Sequence, residues 1–94
     1  MTRQEHLLDI LIEECAEVIQ RATKAKRFGM QEVQPDQDLT NERRIVYELN
    51  DLLGVADLLL GNQWEDADAI IAKKRKVEHF LQYSEQCGTL ERLK

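Results

Sequence analysis

Apolar side chains recur along this chain at helical spacing. A helix advances by about 100° per residue, so its buried face can be drawn from the sequence alone. Over residues 2–28, Leu7, Leu8, Leu11, Cys15, Val18, Ile19 and Ala22 share one arc. Thr2 and Glu5 have the spacing of a capping box, and Gly29 supplies the stop. Across residues 29–39 the periodicity fails. Gln31, Gln34, Pro35, Asp36, Gln37 and Asp38 read as a polar loop that holds the chain's only proline. This connection exceeds the roughly two to eight residues usual between packed helices. It reads first as a solvated crossover and second as a lid over a site.

The periodicity resumes at Thr40, a good N-cap, and runs to Leu60, with Gly61 as terminator. Ile45, Leu49, Leu52, Val55, Ala56 and Leu59 form its apolar arc. Gly54 costs this helix about 1 kcal/mol relative to alanine. It lies away from the arc, where close approach of another helix would account for it. Asn62 with Glu65 suggests a further capping box, opening a third helix over residues 63–86 that Gly88 ends. Its apolar positions are Ala67, Ile70, Val77, Phe80 and Leu81. The expected fold is all-α: one domain over residues 1–94, with helices at about 2–28, 40–60 and 63–86 and the first two antiparallel. So short a chain buries a modest share of its surface, so a bundle completed by self-association, with a dimer forming a four-helix or larger core, is the expectation.

Composition narrows the partners. Hydrophobic residues make up 43% and charged residues 33%, a globular balance, and the net charge is −5. That sign argues against a nucleic-acid polymer or an anionic membrane, both of which reward a basic surface. The cluster Lys73, Lys74, Arg75 and Lys76 is too short to overturn it. The first residues are charged and no run approaches a membrane span, so a soluble, cytoplasmic protein is expected. Cys15 and Cys87 show no metal-ligand spacing and read as small buried or half-buried thiols in preference to a disulfide.

The chemistry concentrates in two acidic couplets, Glu14 with Glu17 and Glu48 with Asp51. Residues three apart on a helix lie on one side, so each couplet points two carboxylates in roughly one direction. Glu14 falls at the border of the first apolar arc and Glu17 just beyond it. Glu48 falls inside the second arc and Asp51 at its edge, while Glu13 points the opposite way and reads as solvated. Burying an ionised group without a partner costs several kcal/mol, so such groups are paired, protonated or metal-bound. Four carboxylates without a histidine suit a hard cation, Mg²⁺ first and Mn²⁺ as its substitute. Arg21, one turn beyond Glu17, reads as a partner for that acid. His6 and His79 have no neighbours at ligand spacing. Trp64 and Tyr83 are read as anchors of the core or an interface, or as platforms for a base.

EECAE at residues 13–17 and ELNDLLGVADLLL at residues 48–60, in that order and joined by a glycine-punctuated loop, resemble the EExxE…ExxD signature of the all-α NTP pyrophosphohydrolases. The small MazG-like members are the nearest in pattern. The resemblance spans roughly residues 5–60; the spacer between Glu17 and Glu48 is slightly longer than in the common form. It implies a Mg²⁺-dependent hydrolase that splits a nucleoside triphosphate between the α- and β-phosphates, giving monophosphate and pyrophosphate. Glu14, Glu17, Glu48 and Asp51 would be the metal ligands and the catalytic set, and self-association as a homodimer or homotetramer is implied as well. Lys73 and Lys76 are the basic residues expected to meet the phosphates if the third helix lies across the site. The alternatives are a non-enzymatic helical interaction module and a related phosphoribosyl-ATP pyrophosphohydrolase. A di-iron carboxylate bundle is disfavoured, because its couplets normally carry histidine.

Overall fold

The helices that the periodicity predicts are the ones that form. The computed structural model describes residues 1–92 and contains α1 (Arg3–Phe28), α2 (Asn41–Leu60) and α3 (Ala67–Gln86). The caps explain the boundaries. The Glu5 N–H donates to the Thr2 hydroxyl while the Glu5 carboxylate accepts from the Thr2 N–H, closing the expected capping box. Gly29, at φ 104°, ends α1 in a conformation that side chains resist. Thr40 accepts from the Arg43 N–H at the start of α2.

The chain divides into two compact units, Met1–Trp64 and Glu65–Lys94. In the first, α1 and α2 form an antiparallel hairpin: Arg3, Gln4 and Leu7 at the start of α1 share a shallow cleft with Leu58 and Leu59 at the end of α2. The covered positions of α1 include Leu7, Leu11, Glu14, Val18, Arg21 and Ala25. Those of α2 include Asn41, Ile45, Glu48, Leu52, Val55 and Leu59. Both series step by four and three residues alternately, the spacing of a two-helix seam. Charged residues therefore occupy seam positions where leucine or valine is usual.

This seam is narrower than the arc drawn from the sequence. Leu8, Cys15, Ile19 and Ala22 were expected on the buried face and are exposed, as is Leu49 on α2. A single neighbouring helix covers only one stripe, and these residues form the next stripe round. Cys15 belongs to that stripe, and both it and Cys87, at the C-cap of α3, are exposed and free, against the expectation of buried or half-buried thiols. Space around Gly54 is open within the chain, so no helix of the same chain accounts for that glycine.

The connection between α1 and α2 is more tightly built than a solvated crossover. Among the described residues Asn41 is the one fully buried side chain, at 1% exposure. Its amide donates to the Gly29 carbonyl at 2.8 Å and to Glu32 Oε1 at 2.9 Å, joining the end of α1 to the start of α2. Backbone bonds from Asn41 N–H to Glu32 O and from Glu42 N–H to Met30 O reinforce the junction. An isolated antiparallel bridge pairs Val33 with Thr40. Beyond it Pro35 and Asp36 (φ 66°) form a turn closed by Gln37 N–H to Gln34 O. Gln34 in turn accepts from Arg44 at 2.6 Å, and Gln31 donates to Glu42.

In the second unit α3 begins later than expected. Asp66, not Asn62, is the N-cap, accepting from Ala69 N–H, and residues 61–64 form a turn. The indole N–H of Trp64 donates to Asp57 of α2 at 2.6 Å, which fastens that turn to the end of α2 and draws it out of helical geometry. Ala67, Ile70, Val77, Phe80 and Leu81 are exposed, and none of α3 is buried. After Gly88 the chain turns back, with the N–H groups of Thr89 and Leu90 both donating to the Ser84 carbonyl.

Asn41→Ala should lower stability by about 2 kcal/mol, because it strips the Gly29 carbonyl and Glu32 of a buried donor. Asn41→Asp, equal in shape but without the two N–H donors and with a carboxylate against Glu32, should cost more. Urea unfolding followed by circular dichroism measures both. Equal stability of all three proteins would mean that the junction does not hold the hairpin.

Candidate metal centre

Three of the four acids singled out in the sequence meet. One carboxylate oxygen each from Glu14, Glu17 and Glu48 lies within 4.8 Å of the others. The hairpin makes this possible because Glu14 and Glu48 are seam residues and Glu17 borders the seam, at the same level of two antiparallel helices. All three are half-buried. Asp51 is exposed and falls outside the three-oxygen group, at the edge of the same face. Glu13 is exposed, as its outward direction requires.

The electrostatics of the group are unfavourable as it stands. Loss of water around Glu14 raises its carboxyl above the ordinary value, and the charges of Glu17, Asp51 and Glu13 push it the same way. Loss of water likewise raises Glu48, followed by a hydrogen-bonding contact with Glu17 and the charges of Glu17, Asp51 and Glu14. Asp51 is therefore close enough to act on both. Two oxygens, Glu14 Oε2 and Glu48 Oε2, are buried without any hydrogen-bond partner. A buried carboxylate oxygen left bare costs free energy that a proton or a cation can recover.

Counter-charge from the protein itself is slight. Arg21 pairs with Glu48 and not with Glu17 as expected, and its Nε stands at 4.0 Å from Glu48 Oε1. Arg21 Nη1 is buried and unpartnered. One loose contact does not neutralise three acids.

The donor set fits a hard divalent cation. It is all oxygen, it carries several negative charges, and it leaves two oxygens unclaimed. Oxygens sharing one Mg²⁺ lie no more than about 4.2 Å apart, so small side-chain rotations close this group on an ion of that size. No other group of three or more acidic, histidine or cysteine ligands forms among the described residues. Lys73 and Lys76 belong to the second unit and are exposed on α3. A concavity of about 580 Å³ in that unit is lined by Glu78, Leu81, Gln82, Glu85, Leu90 and Glu91 and contains none of the acids of the centre. Trp64 is engaged with Asp57, whereas Tyr83 is exposed. Asn41 and its buried junction escaped the sequence reading. Its signal was position: a polar residue seven before Glu48, on the same seam stripe.

Comparison of the chain with protein-family models, curated proteins and solved structures finds no match in any of the three. No helix among the described residues is long and apolar enough to cross a membrane.

The raised carboxyls fix a pH dependence. Around the ordinary glutamate value of 4.5, the unfolded chain gives up protons that Glu14 and Glu48 retain in the folded state. Folded stability therefore falls as pH rises through that value, until the raised folded values are passed. In chelator, the melting temperature of Glu48→Gln should exceed that of the native chain by a margin that widens as pH rises through 4.5 and then levels off. Mg²⁺ or Mn²⁺ should then stabilise the native chain and not the variant. A margin independent of pH would show that the acids do not strain the fold.

Proposed function

We propose that the chain is a Mg²⁺-dependent nucleoside triphosphate pyrophosphohydrolase, with Mn²⁺ able to substitute, that cleaves between the α- and β-phosphates. One observation carries this reading. Three carboxylates from two helices converge within 4.8 Å, with two of their oxygens buried and unpartnered. The order and spacing of the couplets, which resemble the EExxE…ExxD signature, supply the reaction class. Glu14, Glu17 and Glu48 would hold the ion, with Asp51 at the open edge as the fourth acid of the set. When bound, a divalent ion inverts the local charge, draws in phosphate oxygens and acidifies a water.

The chain's own part is positional. The seam fixes Glu14 and Glu48 at one level, and their half-burial leaves little water to compete for their oxygens. One of the four carboxylates takes the proton of the attacking water. The water oxygen bonds to phosphorus as the bridging P–O bond breaks, and pyrophosphate departs with that bridging oxygen or as the group attacked. Monophosphate and pyrophosphate result either way. A phosphoribosyl-ATP substrate would undergo the same cleavage.

The hairpin presents this centre on an open edge, and a second copy is the partner that would enclose it. Exposed apolar residues support that role: Leu8, Ile12 and Ile19 on α1, and Leu49, Leu53 and Leu60 on α2. In light scattering the protein should have at least twice the mass of a single chain. Ile12→Lys combined with Ile19→Lys should reduce it to one chain. A native monomer at all accessible concentrations would remove the second copy from the proposal.

Activity is tested with a panel of nucleoside and deoxynucleoside triphosphates, non-standard bases and phosphoribosyl-ATP included, read by pyrophosphate release with Mg²⁺. At least one should turn over. Glu17→Gln and Glu48→Gln should lower that turnover about a hundredfold or more while leaving helix content unchanged. No product from any substrate, together with no divalent-ion binding in calorimetry, would leave a helical interaction module as the better account.

A further inference from the structure

Charge on the open edge of the hairpin is sorted by level. Along α1 the edge runs Glu14, Glu17, Arg21, Lys24, in steps of three and four residues that keep all four on one face. Along α2, which runs the other way, it reads Asp51, Glu48, Arg44. The acids thus share one level, and the cations occupy the next level towards the loop. Arg21 and Lys24 lie about 6 Å and about 10.5 Å beyond Glu17 along the axis.

Three other cations at this end of the hairpin are already engaged. Arg44 donates to Gln34, Arg43 lies over the Tyr47 ring and Arg27 over the Phe28 ring. Lys26 is exposed and off the face. Arg21 and Lys24 differ. Both are half-buried on the face of the acids. Arg21 holds Glu48 only at 4.0 Å and keeps Nη1 buried without an acceptor. Lys24 has no ion-pair partner among the described residues. A buried guanidinium nitrogen without an acceptor costs free energy, which an anion at that level recovers.

We propose that Arg21 and Lys24 are the phosphate-binding residues of this site, taking the phosphates that extend from the acid centre towards the loop, in place of Lys73 and Lys76. This rests on the proposed pyrophosphohydrolase reading. With the acids committed to a divalent ion, Arg21 would no longer be held by Glu48. The guanidinium then turns to the polyphosphate with its planar fork, which suits two phosphate oxygens at once. Lys24 meets the next phosphate as a point charge. The site so described selects a chain of at least two phosphates, since a single phosphate at the acid level leaves Lys24 without a partner.

The test is calorimetry on the full chain with two probes: Mn²⁺ alone, then inorganic pyrophosphate in the presence of Mg²⁺. Arg21→Gln should bind Mn²⁺ at least as tightly as the native chain, because Arg21 competes with the ion for Glu48. Arg21→Gln and Lys24→Gln should each bind pyrophosphate at least about tenfold more weakly. Arg21→Lys should recover part of the loss, and Lys26→Gln should match the native chain. Native affinity for pyrophosphate in both Gln variants overturns the assignment, as does a loss confined to Lys73→Gln and Lys76→Gln. Loss of Mn²⁺ binding in Arg21→Gln would make Arg21 a structural support and overturn its role. If Arg21→Gln does not fold, Lys24→Gln decides by the same criterion. Failure of the native chain to bind Mn²⁺ overturns the metal-site reading itself and this inference with it.

Discussion

Like-charged carboxylates placed in a helix–helix seam set the terms for the rest of this molecule. A seam between two helices is ordinarily closed by leucine, valine or alanine, and at its ends this one is: Leu7 and Ala25 on α1 and Ala56 on α2 are its buried hydrophobics. At mid-length the same stripe carries Glu14 and Glu48, with Glu17 beside them. Close packing of the two helices then forces together groups that repel and that have lost part of their water. The hairpin is held against that repulsion by the apolar residues above and below and by the Asn41 junction at one end. Such an arrangement costs the fold free energy, which protonation of Glu14 or Glu48 relieves.

The same constraint orders the charges further out. A cation level with the acids would collapse onto them, and for the polyphosphate substrate proposed above the acids alone would be repulsive. Separation by one helical turn avoids both outcomes. Arg21 is near enough to Glu48 to relieve some repulsion and too far to satisfy it. A residue with an unfilled hydrogen-bonding capacity beside an under-neutralised acid can serve either of two partners.

Much of this was legible in the sequence, because it depends on periodicity. The helix ends at Thr2, Gly29, Thr40 and Gly61 follow from capping chemistry that is local in the chain. The convergence of Glu14, Glu17 and Glu48 follows from couplet spacing and an antiparallel hairpin. The rest depends on how many neighbours each helix has, which one sequence does not state. The stripe of Leu8, Cys15, Ile19 and Ala22 is as apolar as its neighbour, yet α2 covers one stripe only. The start of α3 was misread for a different reason: Asn62 and Glu65 have good capping spacing, but the Trp64–Asp57 bond holds that segment in a turn. Asn41 was missed because asparagine near a helix start is ordinarily read as local capping. Its bonds run instead across the junction, to Gly29 and Glu32.

The junction also separates parts of the chain that tolerate a change of length from parts that do not. Residues 35–39 lie outside the Val33–Thr40 bridge and the Arg44–Gln34 bond, so shortening or extending that tip leaves the Asn41 clasp in place. Between Asn41 and Glu48 the chain makes two turns of helix, and one inserted residue there would swing Glu48 by about 100° away from its neighbours. Divergent forms of this protein should accordingly vary at the tip and keep a fixed count between the clasp and the carboxylate.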